Sequence, residues 1–121
     1  MAKRVLLVDD HAIFTQAMRL VIGKVEGLKV VGTAGTLAEG RTMLFGEAAA
    51  DMDLVVMDLM LPDGNGAELI SEIKSQRPDL PVVVLSADAH FDAALEAGAD
   101  DAINKSTPLP EIVTALQRIA D

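Results

Sequence analysis

Short apolar runs alternate along this chain with longer segments in which apolar residues recur at helical spacing. Five of the runs predict strands, at 5–8, 28–31, 54–57, 82–85 and 102–104. Most of them are continuously apolar, a pattern that is typical of strands buried on both faces of a sheet. A regular alternation of strand and helix indicates an α/β domain.

The segments after the runs predict five helices, which right-handed crossovers would place on both faces of one parallel sheet. The longest apolar stripe extends from Phe14 to Val25 with the spacing of one helix face. Gly98 is a suitable end for the fourth helix, and Thr107 can cap the fifth. The other stripes are formed by Leu37, Leu44, Phe45 and Ala48; by Leu69, Ile70 and Ile73; by Phe91, Ala94 and Leu95; and by Ile112, Val113, Leu116 and Ile119.

The composition excludes several classes of protein. With 121 residues, half of them apolar, the chain is long enough for one domain with its own core and is not a disordered segment. It has no cysteine and no apolar run near the ~20 residues of a membrane span, so we expect neither disulfides nor membrane insertion. A net charge of −9, three Phe and no Tyr or Trp argue against nucleic-acid binding by this domain alone.

Polar residues end four of the apolar runs. They are Asp9 and Asp10 after the first run, Asp58 after the third, Ser86 after the fourth and Lys105 after the fifth. If the strands are parallel, these side chains meet at one edge of the sheet, where ligands of open α/β sheets bind. Crowded carboxylates either take up a proton or bind a cation, and Mg²⁺ prefers carboxylates together with a phosphate oxygen. Each residue alone is more often a cap or a solvated charge, but together they predict a site for Mg²⁺ and a phosphoryl group.

On these residues the chain resembles the receiver domains of bacterial two-component response regulators, over essentially all of 1–121. The resemblance rests on Val8-Asp9-Asp10-His11, on Met57-Asp58-Leu59-Met60-Leu61-Pro62-Asp63-Gly64-Asn65-Gly66, on Leu85-Ser86-Ala87, and on Gly98-Ala99-Asp100 followed by Lys105. The opening motif is particularly similar to NarL/FixJ-type regulators, which usually carry a helix-turn-helix domain after the receiver; we expect no such effector domain within this chain. The implied fold is flavodoxin-like, a doubly wound (βα)5 domain with five parallel strands in the order 2-1-3-4-5.

The resemblance also implies a role for each polar residue at the sheet edge. Asp58 would accept the phosphoryl group, and Ser86 and Lys105 would contact its oxygens. The implied Mg²⁺ ligands are the carboxylates of Asp10 and Asp58, Asp9 often acting through water, and the backbone carbonyl of Met60.

The implied phosphoryl donor is a sensor histidine kinase, a phosphotransfer protein or a small acyl phosphate. Such a domain phosphorylates and dephosphorylates itself, so it would not be a turnover enzyme. It would work in the cytoplasm and switch an output such as a DNA-binding domain. A homodimer is one possible assembly.

Two features depart from the usual receiver pattern. Ala102 stands three positions before the lysine, where most receivers carry an aromatic ring that turns inward when the switch hydroxyl moves. The stretch from Ser86 to Gly98 is also about three residues short, close to one helical turn. We therefore expect a competent phosphorylation site, an atypical output, and a fourth helix, over roughly 88–97, that is loosely held or remodelled.

Other functional classes stay open at this point. A pseudo-receiver would bind a partner without using Asp58, and Ala102 together with the short fourth helix favours that interpretation. A Mg²⁺-dependent phosphohydrolase of similar topology usually has a carboxylate two residues after its nucleophile, where this chain has Met60. A flavin- or dinucleotide-binding protein is disfavoured because no glycine-rich turn follows the first strand.

Three ring-bearing residues near these motifs are expected to have ordinary structural roles. His11 lies beside the acid pair and is predicted to cap or cover the first helix rather than to bind a metal. His90 is predicted to be a solvated loop residue. Phe91 is predicted to anchor the core, with an exposed contact as the alternative.

Overall fold

Five parallel strands form the central sheet of the protein, a computed structural model that describes residues 2–46, 51–87 and 91–120. The strands are β1 (Lys3–Val8), β2 (Leu28–Ala34), β3 (Leu54–Asp58), β6 (Val82–Ser86) and β7 (Asp101–Asn104), and the antiparallel hairpin of β4 (Met60–Leu61) and β5 (Gly64–Asn65) follows β3. The sheet order is β2-β1-β3-β6-β7. Counted among the sheet strands alone, this is the predicted order 2-1-3-4-5, so the flavodoxin-like topology is confirmed.

Helices cover both faces of the sheet. They are α1 (Ala12–Ile22), α2 (Leu37–Phe45), α3 (Gly66–Gln76), α4 (Asp92–Glu96) and α5 (Leu109–Ala120). Residues of α1 and α5 share one buried cluster, and residues of α2, α3 and α4 share the other. Neighbouring strand residues point into opposite clusters, since Val5 and Leu7 belong to the first, and Leu6 and Val8 to the second. Burial on both faces explains why the strand runs are continuously apolar.

The strand register brings the predicted site residues to one edge. Val8 pairs with Met57, so the next residues, Asp9 and Asp58, emerge at the same level of neighbouring strands. All five residues of β3 are buried, and each buried Val, Leu or Met side chain contributes about 1.5–3 kcal/mol. A fully buried strand therefore leads directly to the polar edge.

The fourth helix is short, as the spacing in the sequence predicts. α4 has five residues, of which Ala94 is buried. Gly98 follows it with a φ of 110°, in the left-handed region that favours glycine, and so ends the segment. Phe91 at its start is half-buried and packs against the cluster beneath α2 and α3, in agreement with the predicted core position.

Two predicted positions lie outside the described residues. These are His90, with the first part of the predicted fourth helix, and Ala48, the last apolar position of the predicted second helix. In the described chain α2 ends at Phe45, with Gly46 as its C-cap residue. None of the helices in the three described ranges is long and apolar enough to cross a membrane.

Candidate phosphorylation site

Asp58 ends β3 at the carboxyl edge of the sheet and is only 3% exposed. The backbone N–H of Met60 donates to its Oδ1 at 3.3 Å. Helix α3 begins close behind it at Gly66, where an added Cβ would collide with the carbonyl oxygen of Asp58. Because a residue without a side chain is needed there, the Gly66 backbone can press against the strand end and limit the movement of the Asp58 backbone.

Asp9 and Asp10 follow β1 and differ in their exposure to solvent. The Asp9 N–H donates to the Ala34 carbonyl at 2.8 Å, which extends the pairing of β1 with β2. Its side chain is buried, whereas that of Asp10 is about one-third exposed. Together with His11 and Asp58, the pair contributes four possible ligand atoms that all lie within 4.8 Å of one another. The structure thus brings the three predicted carboxylates together.

Lys105 follows β7 and supplies the positive charge of the site. Its backbone N–H donates to the Ser86 carbonyl at 2.9 Å, which ties the residue to the end of β6. Its Nζ lies 2.7 Å from Asp9 Oδ2 and 3.3 Å from Asp58 Oδ2. The same Nζ stands 4.7 Å from the centre of the Phe14 ring, a cation–π distance. One ammonium group therefore bridges two of the three carboxylates.

The pKa of Asp58 reflects this crowding. Burial raises the pKa of Asp58 above its ordinary value, and the negative charge of Asp9 raises it further. Lys105 and the Met60 N–H lower the same pKa and offset part of that rise. A buried carboxylate beside another carboxylate is stabilised in its ionised form by an added cation. Three carboxylates meet one ammonium group here, so with all of them ionised the site carries more negative charge than Lys105 alone neutralises.

His11 does not cap α1, so that part of its prediction was wrong. It occupies the N-cap position, but its side chain makes no capping hydrogen bond. The ring turns towards the acid cluster instead, with Nδ1 2.9 Å from Asp9 Oδ1, 3.4 Å from Asp10 Oδ1 and 3.5 Å from Asp58 Oδ2. Ionised carboxylates are stronger acceptors than neutral groups, and three of them lie within reach of this ring.

Ser86 and Met60 complete the predicted set. Ser86 is buried at the end of β6, level with Asn104 of β7. Met60 is 70% exposed and lies two residues beyond Asp58 in the hairpin strand β4. Its described contact with the site is made by its main chain, through the N–H that donates to Asp58.

Asp63 holds the loop that carries Met60, a role that sequence reasoning missed. Its carboxylate accepts the backbone N–H groups of Leu37 at 2.8 Å and Ala38 at 3.0 Å, at the beginning of α2. The hydrogen bond from Leu37 is the main reason that the pKa of Asp63 lies below its ordinary value. Thr36, the local N-cap, accepts the next N–H, that of Glu39. No local pattern reveals a cap supplied from 26 residues away.

The donor set of this edge suits a hard divalent cation. It consists of oxygen ligands from three carboxylates, two of them on adjacent residues, with the main chain of the exposed Met60 close by. Mg²⁺ takes one or two carboxylates and keeps several waters, so the partly exposed Asp10 side gives such waters room. The residues present therefore fit the ion that the sequence predicts.

Comparisons with known proteins agree with this geometry. The family model of the response regulator receiver domain matches residues 5–117. The DNA-binding transcriptional activator DevR/DosR of Mycobacterium tuberculosis is 34% identical over 119 residues, covering 96% of this chain and 54% of its own length. The chemotaxis protein CheY of Thermotoga maritima is 34% identical over 123 residues, covering 99% of this chain and 99% of its own length.

Solved structures show the same relationship. A LuxR-family two-component response regulator from Aurantimonas superposes with a TM-score of 0.87 at 30% identity, covering 99% of this chain and 86% of that one. A CheY-like receiver domain protein from Methanospirillum hungatei also gives 0.87, at 27% identity and with 100% and 95% covered. The chain spans about half the length of several curated relatives that it matches and nearly all of CheY.

Proposed function

This chain belongs to the response regulator receiver domain family of two-component systems, and we propose on that basis that Asp58 accepts a phosphoryl group in a Mg²⁺-dependent reaction. The observation that carries the proposal is the environment of Asp58. Its carboxylate is buried, stands beside Asp9, and has the Lys105 ammonium 3.3 Å away. A nucleophile that must meet a negatively charged donor needs positive charge held in place beforehand, and Lys105 supplies it.

The proposed step is a displacement at phosphorus. An Asp58 carboxylate oxygen forms a bond to phosphorus while the bond between phosphorus and the donor breaks. The donor atom is an imidazole nitrogen of a phosphohistidine or the acyl oxygen of a small acyl phosphate, and it leaves with the bonding electron pair. The acyl phosphate formed on Asp58 is later hydrolysed, which makes the modification transient.

Catalysis of this step depends on position and charge neutralisation. At ~4 Å and an effective dielectric constant of ~20, one pair of unit charges contributes about 4 kcal/mol. Lys105 is placed to offset the repulsion between the Asp58 carboxylate and the incoming phosphoryl oxygens, and the buried Ser86 hydroxyl is the proposed second contact to those oxygens. Bound Mg²⁺ would supply further positive charge, held by Asp10, Asp58 and the Met60 carbonyl, with Asp9 acting through water.

The proposed partners follow from this chemistry. We propose a sensor histidine kinase or a phosphotransfer protein as the donor, acting in the cytoplasm. The curated relatives include transcription regulators, so a DNA-binding output is the proposed consequence of phosphorylation. The domain itself is proposed not to turn over a substrate, because Met60 stands where a phosphohydrolase would need a carboxylic acid.

Replacement of Asp58 by Asn tests the proposal. Incubation with acetyl phosphate and Mg²⁺ should add the mass of one phosphoryl group to the wild-type protein, measured on the intact chain by mass spectrometry. Asp79→Asn is the matched control, since it removes an exposed Asp from the loop before β6, outside the acid cluster, and it should be labelled normally. A label that persists in Asp58→Asn, or that forms equally well with excess EDTA, would contradict the proposal.

The second candidate is a pseudo-receiver that binds its partner without phosphorylation. The five-residue α4 and the small, half-buried Ala102 favour it. Beryllofluoride, which mimics a phosphoryl group, separates the two candidates. A Mg²⁺-dependent fluorine NMR signal from protein-bound beryllofluoride supports the phosphorylated receiver, and its absence at saturating Mg²⁺ supports the pseudo-receiver.

A further inference from the structure

His11 makes contacts in the acid cluster that its neighbours in α1 do not share. One ring atom, Nδ1, lies between 2.9 and 3.5 Å from an oxygen of Asp9, Asp10 and Asp58. The same atom lies 3.0 Å from Lys105 Nζ. These carboxylate oxygens are the ones that a divalent cation would need. The imidazole and the cation therefore compete for the same space between these oxygens.

The ring can leave the cluster without disturbing the fold. Its side chain is 61% exposed, so a rotation about its own bonds takes it into water. It makes no capping hydrogen bond to α1, so the helix loses no cap when the ring moves. The backbone N–H of His11 donates separately to Asp9 Oδ1 at 2.8 Å, and this bond holds the main chain in place.

We propose that the His11 side chain is a reversible occupant of the cation site and lowers its affinity for Mg²⁺. The inference rests on the Mg²⁺ site of the proposed function and adds a residue that sets how readily that site fills. With the ring inside, its Nδ1 stands 3.4 Å from Asp10 Oδ1 and 3.5 Å from Asp58 Oδ2, in the space between these oxygens that the ion would take. With the ring outside, both carboxylates are free to bind the ion. Mg²⁺ binding and the outward position of His11 are thus linked.

The size of the effect follows from the population of the open state. The apparent dissociation constant equals the intrinsic constant divided by the fraction of molecules that are competent to bind. If the ring occupies the cluster for about half to nine-tenths of the time, its removal strengthens Mg²⁺ binding by about two- to tenfold.

Isothermal titration with Mg²⁺ alone, on the wild-type chain, His11→Ala and Ile13→Ala, tests the inference. Ile13 is the matched control because it is an exposed residue of the first turn of α1 and is not a member of the acid cluster. His11→Ala should bind Mg²⁺ about two- to tenfold more tightly than wild type, and Ile13→Ala should match wild type. Unchanged or weaker binding by His11→Ala would overturn the inference.

NMR gives a second readout of Mg²⁺ binding that is independent of calorimetry. The chain has two histidines, so its ring proton spectrum is simple and His11→Ala assigns the signals. The His11 signal should move with the same Mg²⁺ dependence as the calorimetric binding; a signal that stays fixed at saturation would contradict the exchange. If the wild-type chain and both variants bind no Mg²⁺, the proposed metal site itself fails and this inference falls with it. If wild type binds and His11→Ala gains nothing, only the role of His11 is lost.

Discussion

The two sides of the carboxyl edge of the sheet differ in how completely their residues are buried. Around Asp58, β3 and β6 are buried along their whole length and α3 is pressed against the strand end through Gly66. On the other side, no residue of β7 is fully buried and α4 buries only Ala94 among its described residues. Asp58 therefore lies on the fully buried side, which we call the rigid side, whereas β7 and α4 form the less buried side, which we call the thin side.

Two lysines connect the thin side to the rest of the domain. Lys74 of α3 donates to the Leu80 carbonyl and to Asp100, both at 2.7 Å, and so fixes the chain that follows α4. Lys105 follows β7 and reaches across to Asp9 and Asp58. Both side chains are mostly buried and paired with aspartate. Lys74 stabilises the backbone after α4, whereas Lys105 places its positive charge beside Asp58. The contacts of Lys105 are therefore the ones that a signal from Asp58 can use.

Hydrogen exchange should show the largest contrast between the two sides. In metal-free protein we expect the amides of β3 to exchange at least about a thousandfold more slowly than those of α4, because a five-residue helix with one buried side chain opens without global unfolding. Exchange followed by NMR measures both sets in one sample.

The twelve-residue helix α5 is the internal control for that experiment. It buries Ile112, Val113 and Leu116 and should be protected well above α4. Equal protection of α4 and α5 would remove the contrast, and with it the expectation that the fourth helix is loosely held.

Replacing Lys105 by Met should cause the next largest effect. The substitution keeps most of the length of the side chain and removes the ammonium between Asp9 and Asp58. The rate of labelling by acetyl phosphate should fall by about 10²–10³-fold, the usual cost of losing one preorganised charge or donor at the reacting group. Time courses of intact mass at fixed Mg²⁺ concentration measure that rate.

Lys74→Met is the matched control on the other lysine. It should leave the labelling rate within about twofold of wild type, since Lys74 contacts no residue of the acid cluster in the described structure. Its free energy of unfolding should fall by about 2 kcal/mol, because a mostly buried charged donor and its acceptors lose their hydrogen bonds. If the two variants had the same labelling rate, Lys105 would have no special role in the reaction.

The contrast also separates what could be predicted from sequence from what could not. The meeting of Asp9, Asp58 and Lys105 followed from parallel strands that each end in a polar residue, since the carboxyl ends of such strands share one edge. The strand order was implied by the resemblance to receiver domains. The shortness of α4 followed from the spacing between Ser86 and Gly98. These inferences depend on backbone topology, which apolar patterning determines strongly.

Contacts that depend on side-chain rotamers and loop paths were missed. The ring of His11 meets Lys105 across 94 residues, and the carboxylate of Asp63 caps a helix 26 residues earlier. Phe14 was assigned only to the apolar stripe of α1, although its ring also lies beneath the Lys105 ammonium. The hairpin of β4 and β5 was not predicted, because two-residue strands have too few positions to show a period.

The smallest expected effect concerns the free energy of unfolding of the metal-free protein. Its sign is the clearest of those predicted. The pKa of Asp58 is raised in the folded chain by burial and by Asp9, so at neutral pH its ionised form destabilises the fold. Asp58→Asn should therefore raise the free energy of unfolding in EDTA by about 1 kcal/mol. As the pH falls through the raised folded pKa towards the ordinary value, the folded wild-type protein takes up a proton first, and its difference from Asp58→Asn should shrink.

The stability difference between wild type and Asp63→Asn should depend on pH in the opposite way. The pKa of Asp63 is lowered in the folded chain by the Leu37 N–H, so its contribution to stability is present above the ordinary pKa and is lost as the pH falls through the folded value. Urea unfolding of wild type and both variants across the acidic range measures both trends. An Asp58→Asn variant less stable than wild type in EDTA would mean that Lys105 already neutralises the acceptor. In that case the rigid side of the edge would have no excess negative charge with which to attract a cation.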